Sequence, residues 1–393
     1  MLNNYKMIHS NATNKIKKIA YISTLKSVPW GGSEELWFQS AREALKKNIE
    51  LGIFIYNWDD TPKQILELIN KGAKVFKRRR KDTLISRLIV KFINQLIKKK
   101  PLSLNPYYDL ITYNPDIIII TDGATYYTAD DNDLSFMLLN YFKNKFIIIC
   151  QGNSQSMFPS NRSKTIELFE NSLKVLFVSE HNRQLAFHQL AYNLTKTSTI
   201  QNPVLLKDFN RIPFPKIDNC IHCAVIGRYS ISEKGQDILI SMMALEYWKN
   251  INIKLHLYGS GQDEDYLRKL INFYGVSEKV TIEGFFNDKN EIWHKCHCLL
   301  MCSHGEGTSL AMLEALVAGR VCVITKVGGS EEWIDDGITG FLVDAPTQQL
   351  FSDKLKELIL RKNDLAQIAS AAHEFALQRL DYSPGKTLLK SFI

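Results

Sequence analysis

The chain has 393 residues, 45% of them apolar, and its 49 Lys and Arg against 41 Asp and Glu leave a net charge of +8. This composition excludes a disordered or collagen-like chain, and at about 100–200 residues per domain the length predicts two or three domains. The charge excess alone fits either an anionic partner or a soluble basic protein.

The lead "MLNNYKMIHSNATNKIKK" has no apolar core, and no window reaches 18 apolar residues, so neither a signal peptide nor a transmembrane helix is expected. Seven Cys, mostly inside apolar runs, fit free thiols in a reducing cytosol. Cys220 and Cys223 have a CxxC spacing, and Cys296, Cys298 and Cys302 lie near His294, His297 and His304. The run "CHCLLMCS" nevertheless patterns as a buried strand, so no metal site is expected.

"KIKKIAYIST" reads as a buried strand, and "VPWGGSEELWFQSAREALKKN" as a Gly-rich turn running into an amphipathic helix. "IELGIFIYN" is a second strand, followed by a helix at 62–71 and a short strand around "AKVFKR". Residues 71–100 hold twelve Lys or Arg and one Asp. Within them Leu84, Ile85, Leu88, Ile89, Phe92, Ile93, Leu96 and Ile97 recur at helical spacing. That pattern fits either a basic helix on an anionic membrane surface or a helix packed on its own sheet. No nucleic-acid motif accompanies it, and no nucleic-acid partner is expected.

"PDIIIITDG", "NKFIIICQGN" and "SLKVLFVSE" are short apolar runs ended by turns, as in a parallel sheet covered on both faces. Residues 15–205 therefore read as one α/β domain. The pattern restarts after "IQNPVLLKDFNRIPFPKIDNC", which carries three Pro and little periodicity. "IHCAVIGRYS", "IKLHLYGSG", "KVTIEGFF", "HCLLMCS" and "RVCVITKVGG" are strands ending in turns. "DEDYLRKLINFYG", "TSLAMLEALVAG" and "QLFSDKLKELILRKN" are the helices among them. They define a second α/β domain at 218–375, and 376–393 is expected to cross back to the first. Two doubly wound domains place their crevices at the carboxyl ends of their strands, and facing crevices make a cleft.

The Gly-rich and charged motifs fall at those strand ends. Gly31-Gly32 would let a ligand approach the backbone, or form an ordinary tight turn. Arg228 and Lys234 would converge on a diphosphate, or be two solvated cations. Glu306 ends a strand, and Gly307, Thr308 and Ser309 open the next helix with unpaired amides. Glu314 follows eight residues after Glu306, about 80° away around a helix, so the two carboxylates are expected to have separate roles. They do not form a glycosidase pair. Gly328-Gly329-Ser330-Glu331 repeats the arrangement at the next strand end.

"VIGRYSISEKGQDILI", "LYGSGQDEDYLRKLINFYGVSEKVTIEGFF" and "SHGEGTSLAMLEALVAGRVCVITKVGGSEEWIDDGITGFLV" resemble, in order, the donor half of bacterial nucleotide-sugar glycosyltransferases of family four. These have the GT-B fold, two Rossmann-like domains facing across a cleft. The likeness is strongest over 221–344, including the E-x7-E pattern, and "GGSEELW" resembles the family's N-terminal glycine loop.

The resemblance implies that Arg228 and Lys234 bind the donor diphosphate and stabilise its departure. Glu306 would contact the donor sugar, and Glu314 the ribose hydroxyls. The amides of Gly307, Thr308, Ser309 and Leu310 would meet phosphate or sugar, with Gly31, Gly32 and Gly227 close by. Gly259 and Gly261 would support the cleft, and the loop near Gly284, Phe285 and Phe286 would frame the base. Gln151, Asn153 and His181 are candidate sugar or acceptor contacts. Many relatives have His where this chain has Gln151, which hydrogen-bonds but carries no proton-shuttling charge. Thr308-Ser309 stands where an aromatic residue and Gly are common.

The resemblance also implies a UDP- or GDP-sugar donor, retention of configuration, no metal or other cofactor, and a glycan or lipid-linked acceptor. The location would be cytoplasmic or on the inner membrane face. The rival readings are an epimerase of the same fold and a non-catalytic glycan-binding component of an envelope assembly complex.

Overall fold

β1 (Lys18–Ser23) is apolar on both faces, and its last five residues are buried. Such a strand needs cover above and below, which parallel strands joined by helical crossovers provide. The computed structural model describes residues 16–78, 102–286 and 288–393. The amphipathic stretch Leu84–Ile97 lies outside the described residues.

The first sheet adds β2 (Glu50–Tyr56), β3 (Lys74–Arg78), β4 (Ile117–Asp122), β5 (Phe146–Cys150), β6 (Lys174–Phe177) and β7 (Thr197–Thr199). All are parallel, in the order β3-β2-β1-β4-β5-β6-β7. Ala20 lies opposite Gly52 on one side and Ile118 on the other. Along β4, Ile118 and Ile120 enter one core layer while Ile117 and Ile119 enter the layer on the other face.

The second sheet contains β8 (Ile221–Ile226), β9 (Ile253–Tyr258), β10 (Val280–Gly284), β11 (Cys298–Met301), β12 (Val321–Thr325) and β13 (Phe341–Val343). Its order is β10-β9-β8-β11-β12-β13, again all parallel. Val321 and Val323 serve one core layer, and Cys322 and Ile324 the other. The cysteines are free, and Cys223 and Cys298 are register partners in the sheet, so the sulfurs serve as packing.

Two features tie the lobes together. The buried Arg320 guanidinium donates to the linker carbonyls of Ile212 (3.0 Å) and Pro213 (2.8 Å), fixing the joint to the second lobe. After the helix Leu365–Arg379, the helix Pro384–Lys390 packs against the helix Glu35–Lys46, placing Leu388 and Leu389 in the first lobe's core. No described helix is long and apolar enough to cross a membrane.

Candidate active site between the lobes

Strand order reverses between β1 and β4 and again between β8 and β11. At such a switch point the loops leave in opposite directions and open a crevice at the carboxyl ends. The loops after β1, β5, β8, β11 and β12 carry most of the candidate residues.

Arg228 and Lys234 follow β8. Lys234 Nζ lies 2.5 Å from Glu306 Oε1, which also accepts from Ser303 Oγ at 2.8 Å. Arg228 pairs with Glu233 and donates to Ser27 Oγ of the first lobe at 2.6 Å. Both cations are thus held by side chains, rather than standing as solvated charges. Gly227 lies beside the Lys234 stem: a Cβ there would stand 3.7 Å from Lys234 Cδ. A diphosphate entering here would exchange carboxylate partners for phosphate oxygens, at a modest change in electrostatic energy.

Glu306 lies in the loop before the helix Leu310–Val317, whereas Glu314 lies within the helix. The backbone of Glu306 carries the lobe contact. Its carbonyl accepts from Asn153 N (3.3 Å) and from Asn182 Nδ2 (2.8 Å), both in the first lobe. Thr308 Oγ1 donates to Val178 O at 2.5 Å, and Asn202 Nδ2 donates to Thr308 O at 3.1 Å. Ser309 caps the helix, its Oγ accepting from Met312 N.

Gly307 permits this approach: a Cβ there would stand 1.9 Å from Gln151 O. Gly32 likewise sits beneath Leu310, whose Cδ1 would meet a Cβ at 2.9 Å. Gly31 lies beside it in the same loop, against Leu25.

Glu314 is fully buried. Its Oε1 pairs with Lys289 Nζ, and its Oε2 has no hydrogen-bond partner. Burial raises its pKa above the ordinary carboxylate value. The Lys289 ammonium opposes that rise, and Glu35 of the first lobe adds to it.

Gln151 and Asn153 are almost fully buried at the end of β5. Asn153 Nδ2 donates to Gln189 Oε1 at 2.9 Å, and Gln151 Nε2 has no partner. His181 meets the second lobe through its backbone, its amide donating to Glu332 Oε1 at 3.2 Å.

Gly259 packs on the Gly227 carbonyl and accepts no Cβ there, while its amide donates to Gly284 O at 2.8 Å. These contacts join the ends of β8, β9 and β10. Phe285 is 73% exposed, whereas Phe286 packs edge-on against Tyr258. Of the two rings, only Phe286 is fixed to the lobe wall.

Sequence reading missed Lys289, Glu35, Asn182, Ser303 and Glu233. Lys289, Glu35 and Asn182 reach the site by tertiary crossing, whereas Ser303 lies three residues from Glu306 and Glu233 five from Arg228, where sequence alone does not show which side chains pair. A small pocket behind Glu306 is floored by Met301, Met312 and Ile324 and rimmed by Ser303, Ser309 and Ser330, whose buried Oγ has no partner. Among the described residues, no group of three or more His, Cys, Asp and Glu could hold a metal.

Two parallel Rossmann-like lobes, with their strand ends facing one cleft, define a GT-B protein. Residues 210–375 match the family described as Glycosyl transferases group 1. The chain is similar to the poly(ribitol-phosphate) alpha-N-acetylglucosaminyltransferase of Staphylococcus aureus (strain COL), 24% identical over 303 residues, covering 73% of this chain and 57% of that protein. It is also similar to the lipopolysaccharide core biosynthesis glycosyltransferase LpsE of Rhizobium meliloti (strain 1021), 26% identical over 38% of this chain and 42% of that protein. The chain thus spans about half the length of these curated relatives.

Among solved structures, TarM superposes with a TM-score of 0.69 at 16% identity, covering 97% of this chain and 98% of that one. Anabaena Alr3699/HepE in complex with UDP gives 0.69 at 17% identity, covering 95% and 99%. These likenesses bear out the GT-B fold expected from the sequence.

Proposed function

We propose that the protein is a retaining glycosyltransferase that moves a sugar from a UDP- or GDP-sugar to an acceptor hydroxyl. The observation that carries this reading is the Lys234–Glu306 pair in the switch-point crevice, just before the helix Leu310–Val317, with Gly32 of the first lobe against Leu310 and Arg228 bonded to Ser27. Cations and free helix-start amides suit a donor diphosphate, whose negative charge grows as the glycosidic phosphate bond breaks. Glu306 would contact the sugar, and Glu314 the ribose hydroxyls. Thr308, Ser309, Leu310 and Gly307 would line the phosphate and sugar path.

In the reaction, the bond from the anomeric carbon to the phosphate oxygen breaks and a bond to the acceptor oxygen forms on the same face. The acceptor proton passes to the leaving phosphate. The cationic pair supports that course, because it favours departure and supplies no second carboxylate as nucleophile. The lobe contacts at Glu306 and Thr308 would exclude water and limit donor hydrolysis. Gln151 and Asn153 stand on the acceptor side. The setting would be surface polysaccharide or glycoconjugate assembly in the cytoplasm or on the inner face of the membrane, with 71–100 as the contact. The relatives that act on polyol-phosphate and lipopolysaccharide support this setting.

The test is a panel of UDP- and GDP-sugars, with and without bacterial glycan and lipid extracts, read by mass spectrometry. Acceptor-dependent nucleotide release with one donor is expected. Isomerised sugar nucleotide without acceptor would favour the epimerase, and binding without turnover the glycan-binding component.

A further inference from the structure

Glu314 is fully buried, yet no cation of its own helix meets it. Its ion-pair partner, Lys289, begins a different helix, Lys289–Lys295, and its side chain is 30% exposed. The start of that helix is anchored on the linker: Asp288 caps it through Asn290 N, and Lys207 Nζ pairs with Asp288 Oδ2 at 2.6 Å. Glu35, at the first turn of the helix Glu35–Lys46 in the other lobe, disfavours the Glu314 anion by its charge. Trp30 Nε1 donates to Glu35 at 2.7 Å, and Gln64 Nε2 at 3.4 Å, which fixes that carboxylate on its side of the cleft. The Leu205 amide of the linker also favours the Glu314 anion.

We propose that Lys289 is a positioning residue for the donor nucleotide: its ammonium holds Glu314 Oε1 and leaves Oε2, which has no partner, as the acceptor for the ribose hydroxyls. The inference rests on the donor reading above. Only an ionised carboxylate offers acceptors on both oxygens. Once protonated, it presents an O–H that competes with the ribose donors. Glu35 disfavours the Glu314 anion, and the Lys289 ammonium opposes that effect. Lys289 acts through Glu314 and does not need to touch the ligand.

Two substitutions move the same equilibrium in opposite directions. Lys289→Met removes the stabilising charge and raises the pH at which Glu314 ionises. Glu35→Gln removes the opposing charge and lowers it. The sign follows from ordinary charge coupling: a nearby cation favours the carboxylate and a nearby anion disfavours it.

The experiment is titration calorimetry of UDP and GDP, each used alone as the probe, against the full chain from pH 5.5 to 8.5. Wild type, Lys289→Met, Lys289→Arg and Glu35→Gln would be compared, with circular dichroism confirming fold. In Lys289→Met, affinity should fall about tenfold per pH unit below the new ionisation point and approach wild type at the alkaline end. Lys289→Arg should restore the wild-type profile, and Glu35→Gln should shift it to lower pH. Equal or tighter binding by folded Lys289→Met at every pH would overturn the proposal, because Lys289 would then only block the site. A uniform loss at all pH values, unrescued by Arg, would also overturn it, as a purely structural role would give that result. Failure of wild type to bind either nucleotide would instead strike the donor reading itself.

Discussion

Lys234 Nζ and Glu306 Oε1 are 2.5 Å apart, and the pair joins the loop after β8 to the loop after β11 across the switch point of the second sheet. Glu306 is also the residue whose carbonyl receives Asn153 and Asn182 from the other lobe. One short loop therefore holds both the Lys234 ammonium and the seam between the domains.

Removal of that cation should cost turnover more than binding. Lys234→Gln is expected to lower kcat about 10²–10³-fold, the usual loss for a group that stabilises developing charge. Steady-state kinetics with the donor found in the panel would check this. An unchanged kcat in a folded variant would remove Lys234 from the machinery.

The lobe seam has a steric limit. In Gly307→Ala the new methyl would stand 1.9 Å from Gln151 O and 2.6 Å from Val178 Cγ2. Neither backbone can yield without opening the contact made by Thr308. The expected outcome is a preserved fold in each lobe, a larger radius of gyration in small-angle scattering, and strongly reduced transfer. Wild-type scattering and activity would show that closure does not need this approach.

The helix Pro384–Lys390 belongs to the last residues of the chain, yet its Leu388 lies in the core of the first lobe. Leu388→Ala should cost about 2–5 kcal/mol of stability, by lost burial plus a cavity. Denaturant unfolding would measure it. A loss near zero would mean that this helix does not brace the first lobe.

Asp122, buried at the end of β4, has a pKa raised by burial to about 7, although Thr128 and Thr24 hydrogen-bond its oxygens. A carboxyl whose pKa is higher folded than unfolded contributes stability that is fully present below its unfolded value, 3.8, and is lost as pH rises through 7. From pH 5 to 8, wild-type melting temperature should therefore fall more steeply than that of Asp122→Asn. Parallel slopes would show that Asp122 does not carry the proton. Glu34, raised to about 7 mainly by burial, works in the same direction and leaves part of the slope in the variant.

Much of this architecture is readable in the chain because parallel strands are apolar on both faces. The runs that form β4, β5 and β12 have no helical or alternating period, and turns close them. β7 escapes that signal: its three residues, Thr197–Thr199, form an edge with one covered side and no apolar run. β13 is also a three-residue edge strand, too short to stand out from the turns around it.

The site divides similarly. Arg228, Lys234, Glu306 and Gly307 sit at strand ends, where sequence marks them with glycine and charge. The Lys289–Glu314 pair cannot be read that way, since 25 residues and a strand separate its members. Nor can the grip of Asn182 on Glu306, which depends on how two independently folded sheets face each other.

In the proposed function, the Arg228–Lys234 cations drive acceptor-dependent transfer. The most direct measurement compares nucleotide release by wild type and a folded Arg228→Gln/Lys234→Gln double variant, with one donor, with and without acceptor. Wild-type release should require acceptor and fall at least about 10³-fold in the double variant. Equal release by both proteins, or release that ignores acceptor, would contradict that function.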